Sequence, residues 1–154
     1  MSSEQPPLPK IGETMNAERA YALCSYYGFT NLAKRIAAHP DHYHDWVFDG
    51  ASMLPDALFA KVFHIPNLVE IALKHDLKYA YGEPGNSEEK HHADLAFEAE
   101  LLADGADKAV AKLMYSAVHV LGGEWLKADF SWAFAHKKES KWTTNNAASS
   151  SYLN

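Results

Sequence analysis

A mainly α-helical single domain is what this sequence predicts, on three observations. Apolar residues recur at helical spacing through three long runs, Leu68 to about Tyr81, Ser87 to about Asp104, and Asp107 to Leu121. Each run is bracketed by residues that start or stop helices. The chain of 154 residues is also the size of one domain. Such a domain buries roughly 68–70% of its unfolded surface, so it needs no metal or disulfide merely to fold.

Residues 1–12 are rich in proline and are expected to be loose, with the domain covering 13–136. Asn16 is placed to cap a helix running through about Tyr27, and Gly28 to end it in a left-handed turn. Thr30 or Asn31 opens a second, short helix through Ala38, stopped by Pro40. Residues 39–66 carry Pro40, Gly50, Pro55 and Pro66 among aromatics and read as one long structured loop. Loops of that length inside a compact domain tend to carry function.

Asn67 is placed to cap the next helix, which Gly82 and Pro84 end. Ser87 followed by Glu88 and Glu89 is a helix start with acids in the first turn, where they meet the positive end of the helix dipole. Gly105 would cap its far end, and the helix from Asp107 closes at Gly122-Gly123. Residues 124–136 alternate briefly and predict a short strand or an aromatic lid. The Ser/Asn/Thr/Lys composition of 137–154 predicts a disordered tail.

Composition excludes several classes of function. A net charge of −6, with no basic patch interleaved with aromatics, argues against nucleic-acid binding. No stretch of 18 apolar residues is present, so no transmembrane helix is expected. Met1-Ser2-Ser3-Glu4-Gln5-Pro6-Pro7 has neither the basic nor the apolar region of a signal peptide. The expected product is a soluble cytoplasmic chain, exported by another route if it acts outside. The single cysteine, Cys24, rules out an internal disulfide framework and reads as a small buried thiol within Ala20-Tyr21-Ala22-Leu23-Cys24.

The stretch Lys74-His75-Asp76-Leu77-Lys78-Tyr79 carries the chemistry. On a helix His75 and Tyr79 share a face one turn apart, and Asp76 points about 100° away from His75. Asp94 lies in a second periodic run, His91 to Phe97, and reaches the His75 ring if the two helices pack antiparallel. Upstream, the loop contains Asp49-Gly50-Ala51-Ser52-Met53-Leu54-Pro55-Asp56. An Asp-Gly pair offers a carboxylate and a backbone able to turn a carbonyl outward. Oxygen donors of this kind suit calcium.

Together Asp49-Gly50-x-Ser52, Pro55-Asp56, His75-Asp76-x-x-Tyr79 and Asp94 resemble the secreted phospholipase A2 superfamily, nearest its bacterial and fungal branch, over residues 46–100. The resemblance implies a core of two antiparallel helices carrying the His-Asp site, a calcium-loop-like segment, and extra elements at both ends. It implies that His75 is a general base, Asp94 its orienting partner and Tyr79 a hydrogen-bond partner of that acid. Asp49 and Asp76 would hold Ca2+ with help from the Gly50 carbonyl, and the reaction would be hydrolysis of the sn-2 ester of a glycerophospholipid.

Two departures stand out. Ala51 and Ala72 replace two cysteines that form a disulfide in the family, a bridge typically worth about 2–4 kcal/mol. The pairing suggests that loop and helix still pack there, Ala against Ala. The segment after the loop is also longer and contains an apolar stretch, Leu58-Phe59-Ala60-Lys61-Val62-Phe63.

A phospholipid surface is the implied partner. Trp46, Phe48, Met53, Leu54, Phe59 and Phe63 either form a rim that dips into lipid or belong to the core. The acidic net charge leaves lipid contact to apolar area. Two alternatives stay open: a non-catalytic module binding lipid or an unidentified protein partner, and a metal-dependent phosphohydrolase with His64, His75, Asp76 and Asp94 as ligands. His42-Tyr43-His44-Asp45 reads as surface, as does at least one of His91 and His92, while His119 and His136 show no partner pattern.

Overall fold

The computed structural model describes residues 4–50, 56–62, 64–123 and 131–137. Their order is β1 (Thr14–Met15), α1 (Ala17–Tyr27), α2 (Thr30–Ala38), a 3-10 turn (Pro40–His42), β2 (Trp46–Val47), α3 (Asp56–Val62), α4 (Leu68–Ala80), α5 (Ser87–Ala103) and α6 (Lys108–Leu121). The architecture is mainly helical, with β1 and β2 forming a small antiparallel pair, Thr14 opposite Val47 and Met15 opposite Trp46. Among the described residues no helix is long and apolar enough to cross a membrane.

Local chemistry sets the helix ends. The Asn16 side chain accepts from the Arg19 amide at 2.8 Å and starts α1, which Gly28 ends at φ 79°. At α5 the cap is Asn86, one residue before the expected Ser87; its side chain accepts from the Glu89 amide at 3.0 Å. Asn67 precedes α4 as expected, but its side chain does not cap. Its backbone amide and its Nδ2 both donate to the Asp104 carboxylate at 2.8 Å. An ionised acid is the stronger acceptor, so Asn67 ties the start of α4 to the end of α5.

α4 is the central element. Leu73, Leu77 and Ala80 face one core, made with Leu23, Cys24, Leu32, Ile36, Trp46 and Phe48. Leu68 and Ile71 face a second, made with Val62, Phe97, Leu101, Met114 and Val118. Its partners on α5 descend in number as α4 ascends: Asn67 with Asp104, Lys74 with Glu100, His75 with Asp94. The two helices are therefore antiparallel.

Two expectations change and one open alternative is decided. The 39–66 stretch is not one loop, since it holds the 3-10 turn, β2 and α3. Trp46 and Phe48 belong to the core and not to a surface rim, because β2 alternates and turns Val47 outward in their place. Met53, Leu54 and Phe63, and the side chain of Phe59, lie outside the described residues.

The second change concerns 131–137, which form tight turns and no strand. Ala133 and Ala135 donate their amides to the carbonyls of Tyr79 and Ala80 at 2.7 and 3.1 Å, and Trp132 donates its amide to Gly122 at 2.9 Å. The last carbonyls of a helix have no partner within it, and this segment satisfies the final two of α4. Residues 124–130, and the tail expected to be disordered after Lys137, lie outside the described residues. At the other end, residues 4–12 lie against the domain, with the Gly12 amide bonded to the Phe48 carbonyl at 2.7 Å and Gln5 bonded to Glu70 at 3.0 Å.

Candidate functional site

α4 and α5 carry the polar centre between them. His75 Nε2 is 3.0 Å from Asp94 Oδ1, and the Tyr79 hydroxyl donates to the same oxygen at 2.5 Å. Tyr79 also reaches the Val118 carbonyl of α6 at 3.2 Å. Asp94 is fully buried and the His75 side chain is 5% exposed. The ring of His75 lies between those of Tyr79 and Phe97, with centroids at 4.2 and 4.5 Å. Helix spacing thus presents His75 and Tyr79 to one carboxylate, and the antiparallel partner supplies it.

Burial alone would raise the Asp94 carboxyl. Hydrogen bonds from His75, Lys90 and Tyr79 outweigh it and hold the group below the usual carboxylate value. Burial lowers the imidazole of His75, against the bond and charge of Asp94, and the charges of Lys78 and Lys90 lower it further. Tyr79 is pushed upward by burial first and then by the charge of Asp94, so it stays a donor. The result is a neutral imidazole bonded to an ionised carboxylate. With Nε2 committed to Asp94, Nδ1 is the nitrogen left for proton transfer.

Lys90 has no place in the motif, yet it completes the carboxylate. Its ammonium contacts Asp94 Oδ2 at 2.8 Å and the His119 carbonyl at 3.0 Å. The signal was present in the sequence as an i,i+4 Lys-Asp pair in one helix. Two neighbours fix Tyr79. A Cβ on Gly122 would lie 2.5 Å from the Tyr79 ring, and Trp132 packs edge-on against that ring at 5.1 Å.

Asp76, a third of a turn from His75, meets a different environment. Burial and the charge of Asp49 raise its carboxyl well above the ordinary value. Asp49 stands on the surface, and Gly50 follows in a left-handed turn at φ 66°. Among the described residues no three His, Cys, Asp or Glu side chains converge as a metal-ligand cluster. Asp49 and Asp76 are thus two carboxylates to which main-chain carbonyls and water would have to add for calcium. Ser52 and Pro55 lie outside the described residues, as does the side chain of Asp56, which begins α3. Ala72 is buried, but Ala51 lies outside the described residues, so the expected Ala–Ala packing falls there too.

Cys24 is fully buried, and burial pushes its thiol up to about 12, so it is no nucleophile. His42, His44, His91 and His92 are all on the surface. His119, which the sequence left without a partner, sits with Nδ1 3.8 Å from Asp94 Oδ2. For the phosphohydrolase set, His75 and Asp94 bond each other while Lys90 takes the second oxygen of Asp94. Comparison with protein-family models, with curated proteins and with solved structures finds no match for this chain.

Proposed function

We propose that this protein hydrolyses the sn-2 ester of glycerophospholipids in a calcium-dependent reaction. The observation that carries this reading is the buried bond between His75 Nε2 and Asp94 Oδ1 at 3.0 Å. His75, kept neutral by burial, takes a proton from water through Nδ1 as that water attacks the ester carbonyl. Asp94 holds the imidazole in the required tautomer and stabilises the imidazolium that forms, without itself taking the proton. Tyr79 and Phe97 fix the ring plane.

Asp49, Asp76 and the Gly50 carbonyl are the oxygens that would hold Ca2+. Two acids of which one raises the other's proton affinity fit a divalent cation, which neutralises both. When bound, the ion supplies positive charge for the ester oxygen and the substrate phosphate. A lipid surface is supported by Ile11 and Val47, which are 63% and 56% exposed. Ile11 packs beside Gly50, and Val47 lies two residues before Asp49.

The test is fatty-acid release from mixed-chain phosphatidylcholine vesicles with calcium, with chelator, and with His75→Ala. Release from the sn-2 position should require calcium and vanish in the variant, whose calcium affinity should stay nearly intact. Turnover that survives His75→Ala sinks the assignment.

A further inference from the structure

We infer that Lys90 is a positioning residue for the His75–Asp94 pair, gripping one carboxylate oxygen so that the other faces His75 and Tyr79 together. This rests on the reading of His75 as the base.

The carboxylate of an Asp turns about a broad, two-fold torsion, so a buried one keeps its orientation only if both oxygens are held. Oδ1 carries two bonds, from His75 at 3.0 Å and Tyr79 at 2.5 Å. Oδ2 has the Lys90 ammonium at 2.8 Å, while the ring of His119 stands back at 3.8 Å. Lys90 is itself anchored, because its ammonium also donates to the His119 carbonyl at 3.0 Å. That carbonyl is in the last turn of α6, where acceptors lack intrahelical partners and attract cations.

The Lys90 side chain is 12% exposed and its ammonium lies 5.7 Å from the centre of the Tyr79 ring. The end of α6 therefore anchors Lys90 through the His119 carbonyl, while the Tyr79 hydroxyl, whose single proton goes to Asp94, stands 3.2 Å from the Val118 carbonyl. A buried carboxylate that lost the cation would be short of a donor on Oδ2. It would turn toward His119, and the bond to His75 would lengthen. The positive charge is needed as well as the donor, since it offsets the burial of an ionised acid.

Proton NMR of the full chain reads this without reference to turnover. The Nε2–H of His75, identified by its loss in His75→Asn, should appear far downfield and exchange slowly. In Lys90→Met it should shift upfield and exchange with water roughly tenfold faster or more, and Lys90→Arg should restore most of both. A folded Lys90→Met with an unmoved resonance overturns the inference. If Lys90→Met does not fold, Lys90→Gln decides, and an unmoved resonance there overturns it equally.

The vesicle assay on the same proteins separates the two readings. Lys90→Met should lower kcat about tenfold with KM unchanged, and Lys90→Arg should recover it. A resonance that responds to Lys90 in a protein that never hydrolyses lipid supports the clamp and removes the hydrolase. Hydrolysis that needs His75, with resonance and kcat both indifferent to Lys90, does the reverse.

Discussion

Asp94 and Asp76 are both carboxylates set against α4, and their surroundings treat them in opposite ways. Asp94 is fully buried yet held ionised, because His75, Tyr79 and Lys90 all converge on it. Asp76 meets burial and the charge of Asp49, and its carboxyl is driven up. The protein completes the first acid with its own side chains. The second is opposed by burial and by a neighbouring acid, and under the proposed function a cation from outside would complete it. His75, which reaches the first acid, and Asp76, which is the second, thus leave α4 about 100° apart.

The sharpest way to break this contrast is to remove the first acid. Asp94→Ala leaves the Lys90 ammonium and His75 without their partner. Stripping one member from a buried pair typically costs about 3–5 kcal/mol, so urea unfolding should show a loss of that order, with turnover abolished. A loss under about 1 kcal/mol would mean that Lys90 escapes to solvent and the centre is not closed.

At the second acid Asp76→Asn should behave in the opposite sense. Without calcium its stability should equal or exceed that of the parent, since a neutral group replaces one that burial and Asp49 oppose. With calcium the parent should gain about 2.7 kcal/mol at a hundredfold excess over Kd and the variant nothing, as read by thermal melting. Equal gains in both proteins would separate Asp76 from calcium binding. Gly122→Ala comes next in size. The added methyl meets the Tyr79 ring, and overpacking of this kind costs about 1–3 kcal/mol, visible as a lower melting temperature.

Acid should distinguish the two carboxylates further. The Asp94 carboxyl is held below its ordinary value near 3.8, so the unfolded chain binds its proton first as pH falls. Its contribution to stability is complete above that ordinary value and disappears as pH drops through the folded one. The urea midpoint of the parent should therefore fall more steeply below about pH 4 than that of Asp94→Asn. The smallest effect belongs to the exposed apolar pair. Ile11→Ser with Val47→Ser should weaken binding to phosphatidylcholine vesicles in a sedimentation assay and change stability by about 0.5 kcal/mol or less.

Much of the fold was legible because helix ends are written locally. Asn16, Gly28 and Gly105 act on their own neighbours and needed no tertiary information. The expectation failed where a distant group won the competition. Asn67 abandons the cap for Asp104, a charged acceptor 37 residues away. α3 went unread inside a stretch punctuated by proline and glycine, since a seven-residue helix makes too few turns for its period to register.

At the site, the shared face of His75 and Tyr79 was legible because helical geometry converts spacing into a face, and Asp94 joins them because α4 and α5 pack antiparallel, while its bond to Tyr79 was implied only by the resemblance. Lys90 was spaced as plainly, but a Lys-Asp pair one turn apart is common on any exposed helix. Only the burial of Asp94 gives this one meaning. The contributions of Gly122 and Trp132 depend on which surfaces meet, and no local pattern announces that.

The turns at 131–137 have one more consequence, for how the molecule comes apart. Ala135 belongs to the core on one side of α4, while Trp132 and Ala133 pack with Tyr79 behind the polar centre. Their amides are bonded to carbonyls of Tyr79, Ala80 and Gly122, so the first core and the polar centre cannot part without releasing this segment. Hydrogen exchange at Ala133 and Ala135 should accordingly be as slow as that of the first core, and that core and the polar centre should open in a single step.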